Sequence, residues 1–311
     1  MKKIKIFSPA TVANVSCGFD IIGLALNYPK DEIILHKLKK PGIYISKIYG
    51  ANLPIDPKKN VATVALQALL KKYKNTNIGF DIKLFKNIKP GSGIGSSAAS
   101  AAGIVAGANF LLGNPFNTLE LIYFAMEGEK LAVGGNPHAD NVAPAIMGGI
   151  TLIRSYNPLD IINLHTPKNL WLSIIHPQIE IKTSDARKIL KKKVLMKNSI
   201  RQWGNVGAFV AGLYKEDYCL IGRALEDVIA EPKRAFFIPF FYELKKKCKK
   251  AGALGGGISG SGPSVFMLSY GEKNANIISN IMSIVYSSLG INYKIYTSPI
   301  NLKGINWIKL L

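Results

Sequence analysis

"PGSGIGSSAAS", residues 90–100, decides how the chain is read. Glycines at 91, 93 and 95 precede serines at 96 and 97. The segment joins the strand-like "GFDIKLFKNIKP" (79–90) to "SSAASAAGIVAGANFLLG" (96–113), a helix crowded with small residues. A strand, a glycine turn and a helix N-terminus aim unpaired backbone amides and the positive end of the helix dipole at the turn, which suits an anion. Gly91, Gly93 and Gly95 allow positive φ and close backbone approach. Ser96 and Ser97 fit the helix cap, where a hydroxyl also reaches a phosphate-bound Mg²⁺. The turn holds no lysine, so the P-loop pattern G-x-x-x-x-G-K-[ST] is not met. Two readings stand at this point: a phosphate cradle whose balancing charge comes from elsewhere, or a tight turn whose small residues only let the helix pack.

The 311 residues are 48% hydrophobic and 19% charged, an ordinary globular composition long enough for one large or two ordinary domains. No apolar run approaches the roughly 20 residues of a membrane span. The N-terminal lysines lead straight into a patterned segment, not into the apolar core of a signal peptide. Cys17, Cys219 and Cys248 are too few and too scattered for a disulfide framework or a zinc cluster. A reduced, cytoplasmic setting without a membrane partner is expected. The net charge of +21 comes mostly from lysine, since arginine stands only at 154, 187, 201, 223 and 234 among 40 basic residues. Nucleic-acid surfaces often combine arginine with interleaved aromatics, whereas these lysines run in surface-like blocks such as "KILKKKVLMK". We therefore expect a lysine-rich surface that attracts small anionic substrates, and no nucleic-acid partner. Because lysine serves elsewhere, the few arginines become informative.

Along the chain, "KIKIFSPATVANV" (3–15) alternates as a strand and ends in the turn "SCGFD"; "EIILHKL" and "GIYISKI" are further strands. "NVATVALQALLKKYK" has helical spacing with Asn60 as its N-cap, and "NTLELIYFAMEGEKLA" is a helix capped by Asn117 or Thr118. The turn-rich "RSYNPLDIINLHTPKN" suggests a boundary, dividing the chain into domains 1–158 and 159–311. Beyond it come the strand "LWLSIIHP", helices in "SDARKILKKKV", "QWGNVGAFVAGLYK", "YCLIGRALEDVIAEP" and "FFYELKKKCKKAG", and a last helix around "ANIISNIMSIVYSSLG". Strands and helices interleave without a simple βαβ rhythm, which predicts an α+β fold.

A second glycine-serine loop, "GGGISGSGPSVF" (255–266), would freeze much backbone entropy without a ligand. "PHADNVAP" (137–144) gathers His138, Asp140 and Asn141 in one loop, which leans toward a functional cluster. Glu127 and Glu129 lie upstream of it, and either carboxylate could complete a Mg²⁺ shell with phosphate oxygens. Cys17 as a nucleophile has no paired base in the sequence.

"PATVANVSCGFD" (9–20), "PGSGIGSSAAS" (90–100) and "GALGGGISGSGPSVF" (252–266) resemble, in order and spacing, the three motifs of the GHMP kinases. "HADNVAPAIMGG", "TSDAR" and "IAEPKR" resemble the homoserine kinases among them. The resemblance implies a two-domain α+β fold, with an N-terminal domain like the second domain of ribosomal protein S5 and a ferredoxin-like C-terminal domain. It implies ATP and L-homoserine as small-molecule substrates, Mg²⁺ as cofactor, and an enzyme that is often a homodimer. ATP would be wrapped by Pro90, Gly91, Ser92, Gly93, Ile94, Gly95, Ser96, Ser97, Ala98, Ala99 and Ser100, with Gly257, Ser259, Gly260 and Ser261 from the second loop. Ser97 or Ser96, with Glu129 or else Glu127, would place Mg²⁺. Asn14 would face the substrate hydroxyl and Asp20 its ammonium, while Arg187 and Arg234 clamp the carboxylate with Thr183 nearby. A zwitterion does need an anion for its amine and forked cations for its carboxylate. His138, Asp140 and Asn141 would belong to the catalytic cluster, Asn141 standing near the place where some relatives keep an aspartate base. The chain departs from the pattern at "VSCGFD", where relatives often carry a glycine-rich "LGPGFD". Two other readings compete: a different GHMP kinase, such as a mevalonate kinase, or an S5-like RNA-binding module.

Overall fold

The computed structural model describes residues 2–74, 77–133, 137–179, 181, 183–191 and 193–310, and the side chains of Val133, Thr183 and Ser184 fall outside that description. Alternating apolar residues make β1 (Lys3–Ala13) and the long β2 (Ile22–Leu38), which pair antiparallel with Ile4 opposite Leu35 and Ile6 opposite Ile33. β2 also pairs with β4 (Gly79–Phe85), and β4 runs parallel to the edge strand β3 (Gly42–Tyr49). β5 (Ile150–Tyr156) and β6 (Leu159–Leu164) extend the sheet from β2. β11 (Asn306–Lys309) returns from the C-terminus to pair with β1 and completes the seven-stranded sheet.

Helices α1 (Val61–Tyr73), α2 (Ser96–Leu111) and α3 (Thr118–Val133) cover this sheet and enclose a core containing Ile4, Ile33, Leu66, Phe80 and Phe124. α1 starts where Asn60 Oδ1 accepts the Ala62 amide at 3.1 Å. At α3 Asn117 is the cap: Asn117 Oδ1 accepts from Glu120 N at 3.0 Å, and Glu120 Oε2 accepts from Asn117 N at 3.0 Å. The small residues of α2 let it lie against β1, since a Cβ at Gly107 would come within 2.2 Å of Ile6 Cδ1. The packing reading of that segment is thus sound, and it coexists with the anion-binding geometry of its N-terminus.

A second sheet, β10–β7–β9–β8, is wholly antiparallel and is built from β7 (Leu170–Pro177), β8 (Gly255–Ile258), β9 (Val265–Tyr270) and β10 (Tyr293–Pro299). α9 (Phe241–Lys250) and α10 (Gly271–Ser288) pack on it around Leu244, Met267, Met282 and Tyr286. α6 (Met196–Lys215) and α7 (Tyr218–Ala224) close a third core in which Val12 and Leu24 meet Leu172, Phe209 and Phe266. That shared core joins the two sheets.

Three expectations change. The boundary at 158 falls inside the β5–β6 hairpin, because "RSYNPLDIINLHTPKN" supplies a two-residue turn and not a linker. "VAPAIM" forms the short α4 (Val142–Met147) in what reads as a loop. Gly257 belongs to strand β8, so the second loop begins only at Ser259. No described helix is long and apolar enough to cross a membrane.

Candidate active site

A cleft of about 350 Å³ runs between the glycine loop and the second loop. Gly91, Gly93 and Gly95 have φ of 74°, 80° and 72°, and Gly95 caps α2 in the left-handed region without a side-chain bond to the first-turn amides. Larger residues are excluded by contact as well as strain: a Cβ at Gly95 would lie 2.0 Å from Thr11 Oγ1, and one at Gly93 would lie 2.5 Å from the Gly262 carbonyl oxygen. The second loop braces the first from behind. Ser259 Oγ donates to Gly93 O at 2.7 Å and Ser264 Oγ to Ser92 O at 2.6 Å. The cation absent from the loop stands just before it. Lys86 Nζ is paired with Asp31 and donates to Ser96 O and Ser100 Oγ, each at 2.8 Å. Asp31 in turn accepts the Asn87 and Ile88 amides at 2.9 Å. Burial opposes both charges and each partner's charge favours the other, so Lys86 and Asp31 form a neutralised strut against the floor of the cleft.

At the far end the turn after β1 folds through three left-handed residues, Asn14, Val15 and Ser16, with Asp20 also at positive φ. Val15 is fully buried there, and Asn14 ties the turn by donating Nδ2 to Gly260 O at 2.8 Å while Oδ1 accepts Asp20 N at 2.9 Å. Arg187 reaches Asp20 with both guanidinium ends, Nη1 to Oδ2 at 3.2 Å and Nη2 to Oδ1 at 3.0 Å. Arg187 sits on α5 (Thr183–Lys188), and Arg234 ends α8 (Glu231–Arg234). Arg234 is 4% exposed; it donates Nε to Ala186 O at 3.1 Å and Nη1 to Gly260 O at 2.9 Å, and it lies 5.0 Å over the Phe19 ring. Tyr156 ties the Asp20 backbone to the His138 loop, donating to Asp20 O at 2.9 Å and accepting Ala139 N at 3.2 Å. Asn141 Oδ1 accepts from Thr11 Oγ1 at 2.7 Å. Nδ1 of His138 is 3.6 Å from Asp20 Oδ2, and burial, with Arg187 and Arg234 nearby, lowers its imidazole below the ordinary range.

Two buried carboxyls lie between the ends. Ser97 Oγ donates to Glu129 Oε2 at 3.0 Å, while Glu129 Oε1 is buried without a protein partner. Burial pushes Glu129 up to about 7 and Asp140 likewise to about 7. An orphaned carboxylate oxygen beside a serine hydroxyl is a hard-oxygen pair that fits Mg²⁺. Glu127 instead pairs with Lys130 at 2.6 Å outside the cleft, and Ser96 Oγ points to Ile88 O at 2.7 Å.

The comparisons agree from end to end. Residues 60–149 match the GHMP kinases N terminal domain, and residues 209–288 match the GHMP kinases C terminal domain. The homoserine kinase of Chloroherpeton thalassium is 47% identical over 98% of this chain and 99% of its own length, and that of Chlorobaculum tepidum is 46% identical over 98% of both. The crystal structure of homoserine kinase from Cytophaga hutchinsonii superposes with a TM-score of 0.95 at 46% identity, covering 99% of this chain and 98% of that one. The chain belongs to the homoserine kinases of the GHMP kinase family. The likeness through both halves sets aside the RNA-module reading, and the 46–47% identity to homoserine kinases sets aside the mevalonate kinase reading.

Within this homoserine kinase fold the cleft is lined by Asn14, Asp20, Ser97, Glu129, His138, Asp140, Asn141, Arg187 and Arg234, and also by Pro90–Gly93, Gly95, Ser96, Ser100, Gly260 and Ser261. Ile94, Ala98 and Ala99 are buried beneath it, their side chains facing the core. Ser259 braces the loop and does not line the cleft, and Gly257 faces Ser16 and Glu231 behind it. The expectation for Thr183 falls on a side chain outside the described residues. Asp20 and Arg187, expected to take opposite ends of the substrate, hold each other here. Sequence reasoning missed Lys86, Asp31 and Tyr156. Lys86 reads as one more surface lysine in a chain full of them, and Asp31 lies 55 residues from it. Cys17 is buried and its thiol is pushed up to about 12 by burial, which removes the nucleophile reading.

Proposed function

We infer that the chain transfers the γ-phosphoryl group of ATP to the side-chain hydroxyl of L-homoserine, giving ADP and O-phospho-L-homoserine for threonine synthesis. The observation that carries this is one cleft with an amide-lined helix N-terminus at one end and Asp20, Arg187 and Arg234 at the other. The apolar wall of Leu53, Pro54, Val61 and Ala132 suits the nucleotide base, and the loop amides of residues 91–97 suit its phosphates. For the substrate carboxylate we assign Arg234 and Arg187, and for its ammonium Asp20. The Asp20–Arg187 pair then opens as each partner takes one end of the zwitterion. Mg²⁺ is assigned to Ser97 and Glu129, where it would neutralise charge on the β- and γ-phosphates. We also assign a cytoplasmic homodimer, on the family resemblance.

Phosphoryl transfer has a loose transition state, so positioning and charge neutralisation carry most of the catalysis. Asn14 and Asn141 are placed to orient the hydroxyl. His138, held neutral, would pack beside the ammonium site without adding a positive charge. We assign no dedicated base, the loose transition state leaving the hydroxyl proton to depart late; Asp140, lifted by burial to about 7, is the alternative base that the variant below tests. The test is ADP release with ATP and homoserine, mevalonate, galactose or shikimate, each with Mg²⁺ and again with excess chelator. Turnover is expected with homoserine alone, and only with Mg²⁺; no turnover with homoserine defeats the proposal.

Asp140 gives a second, linked prediction. Its carboxyl binds a proton more tightly when folded, about 7 against the ordinary 3.8. Its contribution to stability is therefore present below about pH 4 and lost as pH rises through about 7. Asp140→Asn should stabilise the unliganded protein at pH 8 by about 1–3 kcal/mol, read by urea unfolding, with little change at pH 4. The same variant should keep kcat within about tenfold. A loss of several orders of magnitude with intact binding would make Asp140 the base.

A further inference from the structure

Behind the amino-acid end, separated from the main cleft by the Asn14 turn and Arg234, lies a cavity of about 10 Å³, lined among others by Ser16, Phe19, Glu231, Arg234 and Gly260. Two polar side chains in its wall lack a protein partner: Ser16, 3% exposed, with its Oγ, and Glu231, 7% exposed, with its Oε2. The other oxygen of Glu231 is satisfied by Lys245 Nζ at 2.5 Å, so the orphan is the inward-facing one. Gly257 stands against the same two oxygens. A Cβ there would stand 2.6 Å from Glu231 Oε2 and 2.7 Å from Ser16 Oγ, so both oxygens border the volume a side chain would fill. This closeness accounts for a glycine that otherwise looks like part of the nucleotide loop. A space about the size of one water molecule, with two polar groups converging on it, is the setting in which buried water is retained.

We propose that one buried water bridges Glu231 Oε2 and Ser16 Oγ, and that Glu231 is a positioning residue for the homoserine end of the site. The bridge ties two elements that each carry a substrate-facing group. Ser16 lies between Asn14 and Asp20 in the left-handed turn, and Glu231 begins the four-residue helix that ends in Arg234. Asn14 and Arg234 already share Gly260 O as an acceptor, and the water adds a second tie between the backbones of their two elements. The turn is in sparsely populated backbone conformations, and the helix is a single turn held by Asp227, whose oxygens cap the amides of Ile229, Ala230 and Glu231 at 2.8 to 3.0 Å. Fixing one against the other fixes the separation of Asp20 from Arg234, and hence the gap between ammonium and carboxylate sites. The ATP loop is held by Lys86, Ser259 and Ser264 and does not depend on this bridge.

The proposal rests on the homoserine reading of the cleft, so wild-type turnover of homoserine is checked first; its failure would count against that reading, not against the bridge. Ser16→Ala, Gly257→Ala and Glu231→Gln are then compared in the full chain. Each should raise KM for homoserine about tenfold while kcat and KM for ATP stay within about twofold. Gly257→Ala is the decisive variant, since its Cβ crowds both oxygens away from the water while every polar group and charge is retained. A high-resolution crystal structure should show one water between Glu231 and Ser16 in the wild type and none in Gly257→Ala. Unchanged KM for homoserine in folded Ser16→Ala and Gly257→Ala, equal rises in both KM values, or a dry cavity in the wild type would each overturn the proposal.

Discussion

Arg234→Met is expected to lower kcat/KM for homoserine by about 10²- to 10³-fold and to leave KM for ATP within about twofold. Arg234 is almost fully buried, and its guanidinium is fixed on three sides by Ala186 O, Gly260 O and the face of Phe19. A cation held so rigidly meets a carboxylate with little further loss of side-chain freedom, and in a dry site the pairing is strong. Methionine keeps much of the aliphatic volume but cannot replace the charge, so the substrate carboxylate would be desolvated without a partner. Arg187 offers a contrast. Its side chain is 42% exposed and already spends both ends on Asp20. Water and salt screen it, and Arg187→Met should cost only about tenfold in the same ratio. Steady-state kinetics with both substrates varied decide the matter. Equal losses for the two arginines, or a matching rise in KM for ATP, would show that the burial argument fails.

Lys86→Met is expected to destabilise the folded protein by about 3–5 kcal/mol, because it leaves Asp31 buried beside an apolar side chain. Both side chains are 1% exposed, so solvent cannot take over for the missing partner. Two further acceptors, Ser96 O and Ser100 Oγ, lose their donor at the base of the glycine loop. Activity should fall too, since α2 begins at Ser96 and its amides are then free to shift. The double variant Lys86→Met with Asp31→Leu removes both charges and should recover most of the lost stability, as measured by denaturant unfolding of all four proteins. Additive losses in that cycle would mean the pair is not a unit. The full recovery of activity is not expected, because Asp31 also holds the Asn87 and Ile88 amides that lead into the loop.

Local chemistry was written plainly in the chain. Asn60 and Asn117 cap helices through oxygens two and three residues away, and alternation sets β1 against β2. The turn at 90–100 needs glycines at three left-handed positions, a demand visible in the residues themselves. The family resemblance picked out Arg187 and Arg234 among five arginines, and both line the cleft. These features depend on short motifs of neighbouring residues, and so the sequence by itself determined the α+β class, the three-glycine turn ahead of α2 and the family.

Only the tertiary structure decided what depends on residues brought together from far apart. Lys86 among 40 basic residues carries no local mark of burial; it becomes the charge beneath the loop because β2 and β4 pair in a register that sets Glu32 opposite Phe85, bringing neighbouring Asp31 to it. Asp20 and Arg187 meet across 167 positions, and β11 closes the first sheet from the other end of the chain. Gly257 looks like loop until β8 pairs with β9 and turns its bare Cα toward Ser16 and Glu231. Burial and strand register are global properties. They assign a charge its partner and a glycine its purpose, and no window of sequence contains them.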